Sequence, residues 1–466
     1  MITNRHKKTV GFIVIALLCI VLIPTKAFSQ FDNSLYNMKV VPQTNLYNPA
    51  FVPDYKYHFG FPMLSSENVG FGSSGVKYQD VFYKRPDDSL AIDVDGLING
   101  LHNNNTFHFQ DVTQILNFGM KFKKVYISAS VSEIVDIDFN YSKQFMEFLA
   151  YGNANMIGET IDMSKMSLKA QHYREYALGI AYTVNKNLDI GGRVKLLYGK
   201  AAIDTKQMDG SFTTINEDYH LALKSNLIIN TSLPDMGSDS TDRVKTLDYL
   251  MYSGNVGAAI DLGVNYKMDK WSFSGSVLDL GYINYDRYLT NYTSDNVDFT
   301  YKGVDAVELQ NLNGDERNKR IEEIRDSIID IFKLDKSADA FNVRLNAKVY
   351  LAANYQLNKG SSIGVLARAD FYRNSIHPSF TLSLNQDLTK NVSAVASYSI
   401  ADNSYLNIGF GLAVRVSVLQ FYIVSDNIFG AFRPELVQYA NLHFGVNFVF
   451  PENKKEKKMI DLEEEE

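Results

Sequence analysis

From Tyr176 the chain alternates. Tyr176, Leu178, Ile180, Tyr182 and Val184 are large and apolar, with Ala177, Gly179, Ala181 and Thr183 between them. Strand side chains point alternately to two faces, so a period of two predicts a strand with one greasy face. After a break at Asn185-Lys186 the alternation resumes through Leu188, Ile190, Val194, Leu196 and Tyr198. It returns over Val256–Met268, Val343–Leu357, Ile363–Phe371, Val392–Ile400 and Leu442–Phe450. Similar polar-plus-Lys pairs, Asp269-Lys270, Asn358-Lys359 and Thr389-Lys390, interrupt the later stretches. They predict tight turns between long strands.

Phased by their large apolar residues, these strands carry their charges on the opposite face: Asp189, Arg193, Lys195, Asp261, Lys267, Arg344, Lys348, Arg368 and Asp370. A Lys or Arg facing hydrocarbon at the bilayer midplane costs about 2–4 kcal/mol, so a lipid-facing surface excludes them. A bilayer admits β structure only as a closed barrel, because an unpaired edge finds no hydrogen bonds in lipid. The stretches run to about 9–15 residues, suiting tilted membrane strands of about 9–11 better than the usual 5–6. Tyr182, Tyr266, Tyr355 and Trp271 stand beside the short turns, where an interfacial aromatic girdle belongs. The expected fold is all-β: a transmembrane antiparallel up-and-down barrel with helical insertions in its outer loops. The listed charges, Lys267 apart, are its candidate lumen lining.

Other segments break the pattern. Residues 30–54 contain Pro49 and Pro53 and cannot form a central strand, which predicts a plug or floor built around Asn48, Pro49 and Ala50. In SVLDLGYINY at 276–285, Val277 and Leu278 are both apolar, which predicts a β-bulge re-aiming Asp279. Long outer loops are expected over 84–105, 142–166, 232–254 and 310–340. Helices are expected at 315–335, where Ile321, Ile324, Ile328 and Ile331 form a stripe, and at 142–153. The acidic stretch 86–96 reads as solvated loop without calcium-loop spacing. The barrel is expected over 55–450, and 451–466 reads as a charged, disordered periplasmic tail.

Residues 1–29 read as a secretory signal peptide. Arg5, Lys7 and Lys8 precede an apolar run from Val10 to Ile23, and Ala27-Phe28-Ser29 offers a cleavage site before Gln30. Without the four basic residues of that segment, the net charge falls from −7 to −11, which argues against nucleic acid as a partner. The single cysteine, Cys19, also lies there, excluding disulfides, thiolate metal sites and cysteine nucleophiles from the remainder. His58, His102, His108, His172, His220, His377 and His443 are scattered, with no HExxH or GxSxG. No catalytic, cofactor or metal residues are assigned, and no enzyme activity is expected.

Asn48-Pro49-Ala50, LDLGYI at 278–283 and FYIVSDNIFG at 421–430 resemble an uncharacterised family of Bacteroidetes outer-membrane barrels. That family is similar in plan to FadL-type fatty acid transporters and to the PorV and PorP/SprF-like barrels of type IX secretion and gliding. The resemblance implies an outer-membrane location and about 14 strands, in a range of about 12–16. Two functions follow as expectations. One is passage or binding of a hydrophobic or other small solute. The other is a structural or docking barrel for secretion or surface proteins. Outer-membrane lipid is the partner common to both.

Overall fold

The computed structural model describes residues 33–77, 81–87, 89–215, 219–234, 246–301, 334–372, 375–401, 404–432 and 437–452. Fourteen strands form one wall. Strand β1 has two pieces, Tyr55–Gly60 and Ser66–Ser73. Then follow β2 Asn104–Phe122, β3 Val125–Ser142, β4 Ser167–Asn185, β5 Leu188–Thr214, β6 Val256–Met268 and β7 Trp271–Tyr285. Strand β8 is again split, into Phe341–Arg344 and Ala347–Asn358. The rest are β9 Ser361–Tyr372, β10 Ser375–Asp387, β11 Val392–Ala401, β12 Ser404–Val416, β13 Leu419–Ser425 and β14 Tyr439–Pro451.

Each strand pairs antiparallel with the next, and β14 returns to β1, so the ring has no open edge. At that seam Tyr57 lies opposite Phe450 and Phe59 opposite Phe448, with ring centroids 4.5 and 4.9 Å apart. The expected up-and-down barrel is borne out.

The alternation explains the wall. Leu178 is 63% exposed on the outer face, whereas Leu197 is 0% exposed inside. Val194, Ile260, Leu262, Leu351, Leu382 and Phe421 extend the greasy outer surface around the ring. An aqueous exterior would leave this surface uncovered; acyl chains cover it, and the chain is a transmembrane barrel. The turns at one end are short. Lys123-Lys124, Lys186-Asn187, Asp269-Lys270, Lys359-Gly360 and Ser417-Val418 each join two strands. Lys123, Asp269 and Ser417 adopt positive φ of 48°, 52° and 58°, as tight hairpins with right-handed twist require. Trp271 packs on Tyr355 at 4.8 Å just above these turns.

The other end is elaborate. Strand β5 runs for 27 residues and outgrows the barrel. Its upper half pairs with Leu221–Ser232, which pairs with Asn291–Tyr301, and that with Asp335–Ser337. This outer sheet was not apparent in the alternation. On the outer wall below it, Glu133 binds Arg174 at 2.8 Å, His172 at 2.7 Å and Lys200, so charge replaces apolar surface there. Helix α1, Val94–Gly100, starts from the Asp93 carboxylate cap, so part of the stretch read as solvated loop is ordered. Strand residues Leu90–Ile92 precede it. Helix α2, Lys143–Tyr151, is capped by Ser142 and ends at Gly152 with φ 72°. Tyr151 donates to Asp95 at 2.6 Å, joining the two helices, and that bond pushes its phenol up to about 12. Residues 1–29, 315–333 and 453–466 lie outside the described residues.

Candidate functional site

The lumen is the site, and residues 33–54 occupy it. The segment forms two short 3-10 turns, Leu35–Asn37 and Pro42–Leu46, with Leu35, Tyr36, Val41, Gln43 and Asn48 fully buried. Too short and proline-rich to add a strand, it bonds its backbone within its own turns, as from Val41 N to Met38 O and Asn48 N to Thr44 O, and reaches the wall through side chains. Its contacts go round the wall. Asp426 accepts from the backbone of Asn33 and Ser34, Asn37 reaches Ser383, and Gln43 bonds Asn447 and Ser65 O. Tyr36 stacks on Tyr350 at 5.4 Å, while Leu35, Met38 and Val41 pack on Val395, Ala413 and Tyr422.

Asn48-Pro49-Ala50 lies against β5 and β6. The Asn48 amide donates to Val264 O and Gly275 O, and its carbonyl oxygen accepts from Ala50 N at 2.9 Å. Glycine is needed opposite. A Cβ on Gly191 would stand 2.3 Å from Pro49 O, and one on Gly263 would stand 2.2 Å from Asn48 Oδ1. The plug thus sits directly on the backbone of the wall.

Above it the inward charges meet. Lys195 Nζ lies 3.1 Å from Glu175 Oε2, 3.1 Å from Asp261 Oδ2 and 2.5 Å from Asp279 Oδ1. Lys348 takes Asp279 Oδ2 at 2.9 Å, and Arg193 takes Asp261 at 3.2 Å. Arg193 also donates to the carbonyls of Asn45 and Leu46, so one side chain joins plug and network. Asp279 sits at a bulge, with φ 61°, where two residues of β7 oppose Asp261 of β6. Its backbone N–H donates to Asp261 at 2.8 Å. Arg368 pairs with Asp370 at 2.8 Å and lies over the Tyr350 ring at 5.1 Å. Asp189 stands near the short turns, held by Thr183, Asn265 and Lys267, the last at 2.9 Å. A cavity of about 100 Å³ remains, bounded by Tyr47, Glu175, Lys195, Asp279, Lys348 and Arg368 among others.

Arg344 requires a correction. It is exposed, while Val343 is buried inside. Between the two pieces of β8 the buried set changes from Phe341 and Val343 to Tyr350 and Ala352, with Leu345 and Asn346 both buried at the change. This inversion opposes the bulge at Asp279 and turns Arg344 outward beside Tyr282. Inside, Val343, Leu345, Phe341, Tyr285, Ile283 and Leu197 pack into an apolar cluster that fills part of the upper lumen. Glu175 was missed by the sequence reading, because its stretch was given a face only from Tyr176 onward. Its inward phase with Ala177 was the available signal. His443 is buried and bonds Ser66 Oγ at 2.7 Å. The outer wall separately carries an apolar recess of about 940 Å³ beside Tyr57, Phe59, Phe118, Leu178, Leu196 and Phe450.

A closed apolar-walled ring with a polar, internally plugged lumen defines a plugged transmembrane β-barrel. The chain belongs to a family of unknown function, DUF5723, whose model matches residues 49–426. No curated protein sequence matches it. Among solved structures it is similar to a Pseudomonas aeruginosa FadL homologue at 9% identity, TM-score 0.43, covering 92% of this chain and 100% of that one. It is also similar to the Pseudomonas putida toluene transporter TodX, at 10% identity and TM-score 0.38, covering 91% and 94%. For the Ralstonia pickettii toluene transporter TbuX the values are 10%, 0.40, 88% and 94%.

Proposed function

We propose that the protein is an outer-membrane barrel that binds a small solute in its lumen and passes it when the N-terminal plug shifts. The observation that carries this reading is the seating of Asn48-Pro49-Ala50 on Gly191 and Gly263. The wall spends two glycines to hold a segment that is no part of the wall. The cavity beside it is lined by acidic and basic side chains together with Val112, Ile134, Leu278 and Tyr350, which favours a small polar or amphiphilic solute. A hydrophobic solute is favoured only at the apolar recess, which lies on the lipid-facing side. The plan shared with FadL-type barrels, read from the short sequence motifs, is consistent with either.

A second reading rests on the outer sheet carried by β5. Its strands stand beyond the ring and offer surface to secretion or surface proteins, as in a docking barrel of type IX-like machinery.

Gly263→Leu separates the two. The side chain cannot coexist with Asn48 and Pro49, and the three atoms nearest its Cβ all belong to the plug. In planar bilayers or swelling liposomes, the conduit reading predicts small wild-type conductance and a several-fold rise for Gly263→Leu. Equal, near-zero conductance in both proteins, with the barrel folded, overturns the conduit and leaves the docking role.

A further inference from the structure

Higher in the lumen, β2 and β3 bring together three side chains of metal-ligand type, His108, Asp136 and Asp138. His108 stands opposite Asp138 in the register, and Gln110 opposite Asp136. Asp136 and Asp138, two residues apart, share the inward face of β3. His108 Nδ1 lies 2.6 Å from Asp138 Oδ1 and 3.8 Å from Asp136 Oδ1. One ligand atom of each residue lies within 4.8 Å of the other two. Asn346, at the break in β8, donates its amide to Asp136 Oδ2 at 3.0 Å and Asp138 Oδ2 at 3.2 Å. Lys169 Nζ holds that amide from behind, 2.5 Å from Asn346 Oδ1.

One oxygen is left over. Asp136 is 7% exposed, and among the described residues its Oδ1 accepts no hydrogen bond. It is the oxygen turned toward His108. Two buried carboxylates on one strand face repel each other, and a buried carboxylate oxygen without a partner is costly. Both problems are removed by a cation among the three side chains.

We propose that His108, Asp136 and Asp138 form a three-ligand site for a divalent transition-metal ion of the zinc type, with Asn346 orienting the two carboxylates. One imidazole nitrogen and two carboxylate oxygens suit zinc better than calcium, which takes six to eight oxygens. Tetrahedral zinc, with bonds of about 2.0–2.2 Å, places its ligand atoms roughly 3.3–3.6 Å apart. The 2.6 Å contact opens and the 3.8 Å contact closes, each by less than about 1 Å, to meet that spacing. The ion replaces the proton between His108 and Asp138, and its two charges balance the two carboxylates. It staples β2 to β3 and, through Asn346, fixes β8 across the lumen, whether or not the lumen conducts.

The test uses the full barrel in detergent, stripped with EDTA and dialysed against Zn²⁺. One zinc per chain is expected by elemental analysis, with a higher unfolding temperature than the stripped protein. Asp136→Asn and Asp138→Asn keep the side-chain shape and should each weaken zinc binding at least about tenfold. Zinc held by lipid or detergent is the same in wild type and variants and is subtracted. Wild-type protein loaded with Co²⁺ needs no variant: the intense visible absorption of a four-coordinate ion is expected. Zinc retention equal in wild type and folded variants, or a purely six-coordinate Co²⁺ spectrum, overturns the site.

Discussion

Asp279 shows how one residue is set by both backbone and charge. Its φ of 61° lies in the left-handed region, which Asn and Asp tolerate better than other side chains. Its carboxylate holds Lys195 and Lys348 at once. Breaking a buried ion pair from one side costs about 3–5 kcal/mol, because a charge is left without its partner. Asp279→Ala should therefore lower the unfolding midpoint sharply, and Asp279→Asn less so, because Asn keeps the backbone preference and a hydrogen-bonding oxygen. Equal loss for both in urea or thermal unfolding would assign the whole effect to charge. The position was legible because adjacent apolar Val277 and Leu278 break the alternation. Arg344 was misread for the opposite reason: Val343 and Val349 are both apolar at odd positions, so the inversion at Leu345-Asn346 leaves the pattern intact. His108 and Asp138 could not be paired from spacing alone, since only the β2–β3 register makes them neighbours.

At the scale of elements, the strands were plainest where one face is uniformly greasy, as in β4, β6 and β9. The outer sheet was not, because strands above the membrane do not need a lipid-facing side. Residues 33–54 announced by their prolines only that they are not a strand; their contacts round the wall come from the closed ring. The ring itself depends on a short seam. Strand β1 is interrupted between Gly60 and Ser66, and the aromatic pairs Tyr57–Phe450 and Phe59–Phe448 bridge to β14 beside that gap. Such stacked pairs contribute about 0.5–1.5 kcal/mol beyond their buried area. Phe448→Ala should thus lower the temperature at which the folded barrel loses its compact migration in detergent gels. Phe421→Ala, outward on β13 but outside these stacks, should lower it less. If the two variants melt together, the seam is no weaker than the rest of the wall.

For the whole molecule, the barrel depends on an outer face that meets acyl chains and an inner face closed by plug and charge. The chain has one tryptophan, Trp271, at the girdle near the short turns. Leu178 lies on the same outer face, further from those turns than Tyr182. The direct measurement is fluorescence quenching in vesicles whose lipids carry bromine at defined depths along the acyl chain. Trp271 in the wild type should be quenched best by shallow bromines. A Leu178→Trp chain carrying Trp271→Phe should be quenched best by deep ones. Emission indifferent to bromine at both positions, with water-soluble iodide quenching both freely, would contradict the membrane barrel.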